Sequence, residues 1–222
     1  MPELVIFDCD GVLVDSEPVV NRLFTEALRA VGLNLSWEDS LRQFTGLSHA
    51  AGVREVHRLL GRELPVEFWS ELDARCYEVL AREVRPMPGA HEFLGALCCQ
   101  FCVASSGPHE KMAVTLGRTE LLPFFNQRIF SATEVARGKP FPDLFLYAAQ
   151  RMGISPEKAV VIEDSIFGIQ AAKAAGMTAI GLVHSAYPFD LLGAGADMVV
   201  KSLSDLHRIF SGVSKLYGPL PG

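Results

Sequence analysis

The sequence predicts an α/β fold: a doubly wound (Rossmann-like) parallel sheet with an all-helical cap domain inserted after its first strand. Three observations carry this. Leu4-Val5-Ile6-Phe7 is an apolar run that ends directly in Asp8, as a strand buried on both faces does. From about residue 90 onward, strand and helix patterns alternate, the signature of a parallel sheet covered by helices. Between the two, residues 17–84 read as helix only. Residues 1–15 and 86–222 are therefore expected to form the core and residues 16–85 the cap.

Taken in order, the first strand ends at Asp8-Cys9-Asp10-Gly11. Ser16 is the expected N-cap of the first helix, with Glu17 and Pro18 suited to its first turn. Val20, Leu23, Phe24, Ala27, Leu28 and Val31 recur at helical spacing before Gly32 closes the helix. Ser36 is expected to cap a helix near Trp37–Phe44, and Ser48 one ending near Leu60-Gly61. Pro65 opens a fourth helix, with Phe68, Trp69, Leu72, Cys76, Val79 and Leu80 on its apolar side. The prolines and glycine of Arg85-Pro86-Met87-Pro88-Gly89 break the helical run. Helices are then predicted at Ala90–Leu97, Pro108–Leu116, Pro142–Met152, Ile166–Ala175 and Leu203–Phe210. Strands are predicted at Phe101–Ser105, Arg128–Phe130, Ala159–Glu163, Thr178–Val183 and Met198–Val200.

The 222 residues, 49% hydrophobic and 21% charged, suffice for a sizeable core, and a formal net charge of −6 offers no basic surface for nucleic acid or anionic membrane. No apolar run is long enough to span a bilayer, and the N-terminus has no signal-peptide pattern, so a cytoplasmic protein is expected. The five cysteines sit in apolar surroundings and are expected to be buried free thiols in a reducing compartment. The expected assembly is a monomer or weak homodimer.

In open parallel sheets, ligands bind at the carboxyl ends of the strands. There the sequence places Asp8 and Asp10, Ser105-Ser106-Gly107, and Glu163-Asp164-Ser165, with Lys139 in Gly138-Lys139-Pro140-Phe141-Pro142-Asp143 just before a helix. Each group has an ordinary explanation: acids and glycine make turns, acids and serine cap helices, and lysine is usually solvated. Gathered in one crevice they suit phosphoryl transfer, which needs a nucleophile, a cation and donors for the phosphoryl oxygens. Two carboxylates as close as Asp8 and Asp10 repel unless a cation or proton intervenes, and Mg²⁺ suits few carboxylates plus phosphate oxygens.

In these motifs the chain resembles a haloacid dehalogenase superfamily phosphatase, of the branch that includes β-phosphoglucomutase and small sugar-phosphate phosphatases. The carrying residues are Asp8 to Ser16, Ser105, Lys139 to Asp143, and Glu163-Asp164-Ser165 with Gly168, Ala171 and Ala172. The resemblance implies Asp8 as nucleophile and Asp10 as general acid, then base. It implies Ser105 and Lys139 as holders of the phosphoryl oxygens, and Mg²⁺ bound by Asp8, the Asp10 carbonyl and Asp164, with Glu163 close by or acting through water. The acid role calls for a raised Asp10 pKa, which a dense acidic site is expected to supply. Ser106, Gly107, Thr45 and His49 are the substrate-binding candidates.

True dehalogenases of this superfamily lack the second aspartate, so Asp10 favours phosphoryl chemistry. β-Phosphoglucomutases carry a histidine in the first cap helix and an arginine in the cap loop, where this chain has Val20 or a neighbour and His49. A phosphatase acting on a small phosphorylated metabolite, a sugar or sugar-acid phosphate, is therefore expected ahead of a mutase or an idle binding protein. Arg42, Thr45, His49 and Arg54 are the polar candidates for substrate selection in the cap, with hinges near Asp15-Ser16 and Arg85–Gly89.

Overall fold

The computed structural model describes residues 2–44, 49–183 and 189–210. Strand β1 (Leu4–Phe7) is followed by the two-residue β2 (Val14–Asp15), then helices α1 (Glu17–Ala30), α2 (Trp37–Phe44), α3 (His49–Leu60) and α4 (Val66–Glu83). After β3 (Arg85–Pro86) come α5 (Ala90–Ala96), β4 (Gln100–Ser105), α6 (His109–Arg118), α7 (Leu122–Phe125) and β5 (Ile129–Ser131). The chain continues through α8 (Asp143–Met152), β6 (Ala159–Glu163), α9 (Ile166–Ala174), β7 (Thr178–Leu182), β8 (Met198–Val200) and α10 (Leu203–Phe210).

Six strands form one parallel sheet in the order β5-β4-β1-β6-β7-β8. The order reverses at β1, which pairs with β4 on one side and β6 on the other. This is the topological switch point of a doubly wound fold, where a crevice opens beyond the strand ends. The alternation of β1 assigns its side chains to two cores. Val5 and Phe7 pack with Phe93, Met112, Leu116, Phe125 and Leu206 on one face. Leu4 and Ile6 pack with Phe145, Ala148, Val161 and Ile169 on the other. Phe7 meets Phe93 and Phe125 edge to face at 5.9 and 6.3 Å, and burial of each such ring contributes roughly 1.5–3 kcal/mol.

The predicted alternation holds to within about a residue at most boundaries. The two-residue strands and α7 were not expected. β2 and β3 pair antiparallel, Val14 opposite Pro86 and Asp15 opposite Arg85, so both connections to the four helices run side by side. The first face's core continues into those helices through Leu23, Leu72, Cys76 and Leu80. Ser36 caps α2 as expected, its Oγ accepting from the Asp39 N–H at 3.0 Å, whereas the expected cap at Ser48 lies outside the described residues.

Two expectations are corrected. Ser16 makes no side-chain cap to α1. Pro18 removes one of the two N–H groups a cap serves, and the buried Ser16 hydroxyl donates instead to a stronger acceptor, the Asp10 carboxylate. All five cysteines are free, but Cys98 is exposed and Cys99 half-buried; only Cys9, Cys76 and Cys102 are buried. Cys98 and Cys99 follow α5 just before β4 begins, so they lie on the sheet's rim rather than in its core.

Candidate active site

Because β4, β1 and β6 are neighbours, their ends bring together the residues singled out above. Asp8 extends β1, its N–H still donating to the Ile162 carbonyl at 3.0 Å. Ser105 ends β4 and Glu163 ends β6, with Asp164 next in the chain. Asp8, Ser105, Glu163 and Asp164 are all buried, Ser106 is exposed and Gly107 is half-buried.

Lys139 enters from the loop before α8. Its ammonium donates to Asp8 Oδ1 at 2.6 Å, Glu163 Oε1 at 2.6 Å and the Ala104 carbonyl at 3.2 Å, which accounts for its three donors. The charge also lies 5.0 Å from the Phe145 ring centroid, a cation–π contact. The other Glu163 oxygen accepts from the Ser165 N–H and hydroxyl, both at 2.9 Å. Both carboxylate oxygens of Glu163 are thus committed to fixing Lys139 and the start of α9. Gly168 allows this: a Cβ there would meet the Glu163 carboxylate at 1.9 Å. The Ser105 hydroxyl accepts from the Gly107 N–H at 3.1 Å, and Ser131 Oγ donates to the Gly107 carbonyl at 2.8 Å, so β5 braces the loop after β4.

Burial, reinforced by the charges of Glu163 and Asp10 and opposed by Lys139, pushes the Asp8 carboxyl up to about 7. Asp164 is raised well above the usual carboxylate range by burial and by Glu163, Asp8 and Glu17. Lys139 is held above its ordinary value: burial alone lowers it, but Asp8 and Glu163 outweigh that. Asp10 departs from expectation. Burial raises its pKa, but the charge of Lys111 and hydrogen bonds from Lys111 and Ser16 outweigh that, so it lies below the usual value. Lys111 Nζ donates to Asp10 Oδ2 at 2.8 Å.

Neither Lys111 nor Ser16 was recognised from the sequence as part of this site. Lys111 gave one signal: it stands in the first turn of α6, where the helix dipole disfavours a cation unless an anion faces it.

Asp164 also lies against the turn after Asp10. Gly11 has φ +76°, and a Cβ on it would meet Asp164 Oδ2 at 1.9 Å, so only glycine lets that carboxylate approach the Asp8–Asp10 loop. The donor set is made of hard oxygens under mutual repulsion, which a small divalent cation relieves. Among the described residues no three His, Cys, Asp or Glu side chains form a ready-made cage. The fit to Mg²⁺ rests on the oxygen donors themselves, since that ion takes one or two carboxylates and fills its remaining positions with water and phosphate.

A cavity of about 250 Å³ lies among the helices preceding β3. Glu17, Val20, Asn21 and Ser40 line it together with Phe44, His49, Trp69, Leu72, Asp73 and Cys76. Glu17 feels the charges of Asp10 and Lys111, which links the cavity to the crevice. Of the polar candidates in this segment, His49 lines the cavity and lies 6.1 Å from the Trp69 ring. Arg42 instead pairs with Asp39 at 3.3 Å, Arg54 is exposed, and Thr45 lies outside the described residues. Asn21, Ser40, Trp69 and Asp73 were not singled out from the sequence because they come from three helices at ordinary core spacing.

A family model for haloacid dehalogenase-like hydrolases matches residues 2–176. The chain is 32% identical to the 6-phosphogluconate phosphatase of Escherichia coli (strain K12) over 180 residues, 79% of this chain and 80% of that one. It is 33% identical to a phosphorylated carbohydrates phosphatase of Thermotoga maritima over 205 residues, 90% of this chain and 94% of that one. Among solved structures it superposes on a HAD family hydrolase from Deinococcus radiodurans R1 with bound phosphate and sodium, at TM-score 0.78, 32% identity and 98% coverage of each chain. The chain belongs to the haloacid dehalogenase-like hydrolase family. No helix among the described residues is long and apolar enough to cross a membrane.

Proposed function

We propose that this protein is a Mg²⁺-dependent phosphatase that hydrolyses a small phosphorylated metabolite, a sugar or sugar-acid phosphate, through an aspartyl-phosphate. The observation that carries this is the buried Asp8–Lys139–Glu163 array, with Lys139 at 2.6 Å from both acids. A carboxylate attacks an anionic phosphate poorly unless positive charge offsets the repulsion. Lys139 supplies such charge at the nucleophile, and Glu163 holds Lys139 in place.

Asp8, the Asp10 carbonyl and Asp164 are the ligands proposed for Mg²⁺. When bound, the ion supplies neutralisation of phosphoryl and nucleophile charge. Glu163, both of whose oxygens are engaged, acts as the residue that orients Lys139. In the first half of the reaction an Asp8 oxygen bonds to phosphorus as the bond to the leaving oxygen breaks, and Asp10, which the negative charge of the bound phosphate pushes toward its protonated form against the pull of Lys111, gives that oxygen its proton. In the second half Asp10 takes a proton from water, the water oxygen bonds to phosphorus, and Asp8 is released with inorganic phosphate. Ser105, Ser106 and Gly107 offer hydroxyl and backbone donors to the phosphoryl oxygens.

The helices between β2 and β3 are read as a cap over the crevice, with the β2–β3 ribbon as its hinge and the cavity receiving the leaving group. None of the described cavity-lining residues is a lysine or arginine, which favours a single phosphate over the bisphosphate a mutase must hold. Val20 and His49 both line that cavity, His49 and Val20 or a neighbour standing where β-phosphoglucomutases have arginine and histidine.

The test is phosphate release from a panel of sugar, sugar-acid and nucleotide monophosphates, with Mg²⁺ and with EDTA, beside Asp8→Asn. Release that requires both metal and Asp8 is expected. Metal-independent release, or release retained by Asp8→Asn, overturns the proposal.

A further inference from the structure

Lys111 has no part in the reaction as written above, yet it is bound to a central member of the site. Its Nζ lies 2.8 Å from Asp10 Oδ2, and each of the two side chains is 21% exposed. A surface lysine would point its flexible stem into water; this one runs beside the phosphoryl-binding loop. A Cβ placed on Gly107 would stand 3.5 Å from Lys111 Cδ, 3.5 Å from Ser105 Oγ and 3.8 Å from Asp10 Oδ2. Lys111, Ser105, Gly107 and the Asp10 carboxyl therefore line one wall. The two lysines divide the site: Lys139 engages Asp8 and Glu163, and half-buried Lys111 engages Asp10. The base of α6 is fixed as well, since Thr115 Oγ1 donates to the Lys111 carbonyl at 3.1 Å from a wholly buried position.

The geometry points to Lys111 as a positioning residue for proton transfer: its salt bridge holds the Asp10 carboxyl beside the Ser105–Gly107 loop, where the leaving oxygen departs. This rests on the phosphatase reading. Proton transfer demands placement, and an error of about 1 Å costs up to about 10²-fold in rate. The benefit of a placed acid depends on the leaving group. A sugar alkoxide cannot leave without a proton, whereas a dinitrophenolate can. An electrostatic contact to the phosphoryl group would help both equally.

The test compares kcat/KM for sugar phosphates, p-nitrophenyl phosphate and dinitrophenyl phosphate, since kcat/KM reports the steps up to loss of the alcohol. Lys111→Met is expected to lose about 10²-fold with sugar phosphates and less than about tenfold with dinitrophenyl phosphate, with a steeper dependence on leaving-group basicity. Lys111→Arg, which keeps the cation, is expected to recover most of the loss. Thermal melts of both variants report whether they fold. An equal loss on every ester, with weaker inhibition by inorganic phosphate, makes Lys111 a phosphoryl contact and overturns the proposal. So does an unchanged profile, or an equal loss accompanied by unfolding. Wild-type protein that hydrolyses none of the esters with Mg²⁺ refutes the phosphatase reading itself; a wrong leaving-group pattern in an active enzyme refutes only the role of Lys111.

Discussion

The crevice beyond the sheet and the cavity among the helices differ in how their polar groups are used. In the crevice, Lys139 spends its three donors, Glu163 both its oxygens, and Asp10 is held by Lys111 and Ser16. The cavity is walled largely by Val20, Phe44, Trp69, Leu72 and Cys76, with Glu17, Asn21, Ser40, His49 and Asp73 spaced among them. The Trp69 indole N–H is buried and has no partner among the described residues. On the proposed function the difference separates two tasks. Chemistry needs charges fixed before the substrate arrives, and a buried charge without its partner is expensive. Selection needs shape and a few polar contacts, each worth only about 1–3 kcal/mol.

This contrast orders the effects of substitution. Asp8→Asn removes the nucleophile, and phosphate release is expected to fall on the order of 10⁵–10⁶-fold, as loss of a nucleophile does elsewhere. Lys139→Met leaves Asp8 and Glu163 buried without their cation. Denaturant unfolding should show a loss of roughly 3–5 kcal/mol together with lost activity; an unchanged midpoint would erase the distinction between the two regions. Asp10→Asn is expected to cost about 10²–10⁴-fold in sugar-phosphate turnover while phosphate binding persists.

Metal addition separates the regions without any assay of turnover. Burial and mutual repulsion raise the pKa of Asp8 and Asp164, so cation binding displaces protons from them. Mg²⁺ should therefore raise the melting temperature near neutral pH and do so progressively less as pH falls below about 7, where Asp8 holds its proton. Asp164→Asn should remove the shift, and a shift that grows toward acid pH would contradict the assignment. The smallest effects belong to the cavity. His49→Ala is expected to change the ranking of sugar phosphates by about tenfold in kcat/KM, roughly 1 kcal/mol, with little change on an aryl phosphate. A uniform loss would move His49 into the catalytic machinery.

The same contrast explains what the sequence made legible. Asp8, Ser105 and Glu163 were placed together at the strand ends because a buried strand declares itself as an apolar run, and a parallel sheet fixes which end of it opens on the crevice. The cavity gathers residues from several helices, where Asn21 or Asp73 is indistinguishable from an ordinary polar position. Lys111 and Ser16 fall between these cases: each has a familiar local role, solvated lysine or helix cap, and a tertiary partner, Asp10, overrides it. Lys111 and Ser16 in turn reverse the expected direction for Asp10. Counting acids in the motif predicts a raised pKa, but the compensating cation comes from α6, 101 residues away in the chain.

The most direct test of the account is rapid acid quench during turnover of a sugar phosphate with Mg²⁺, followed by mass analysis of the peptide that contains Asp8. A transient population of that peptide heavier by one phosphoryl group is expected, absent with EDTA and absent in Asp8→Asn. Continued turnover with no phosphoryl group on Asp8 at any quench time, and with activity retained by Asp8→Asn, would contradict it.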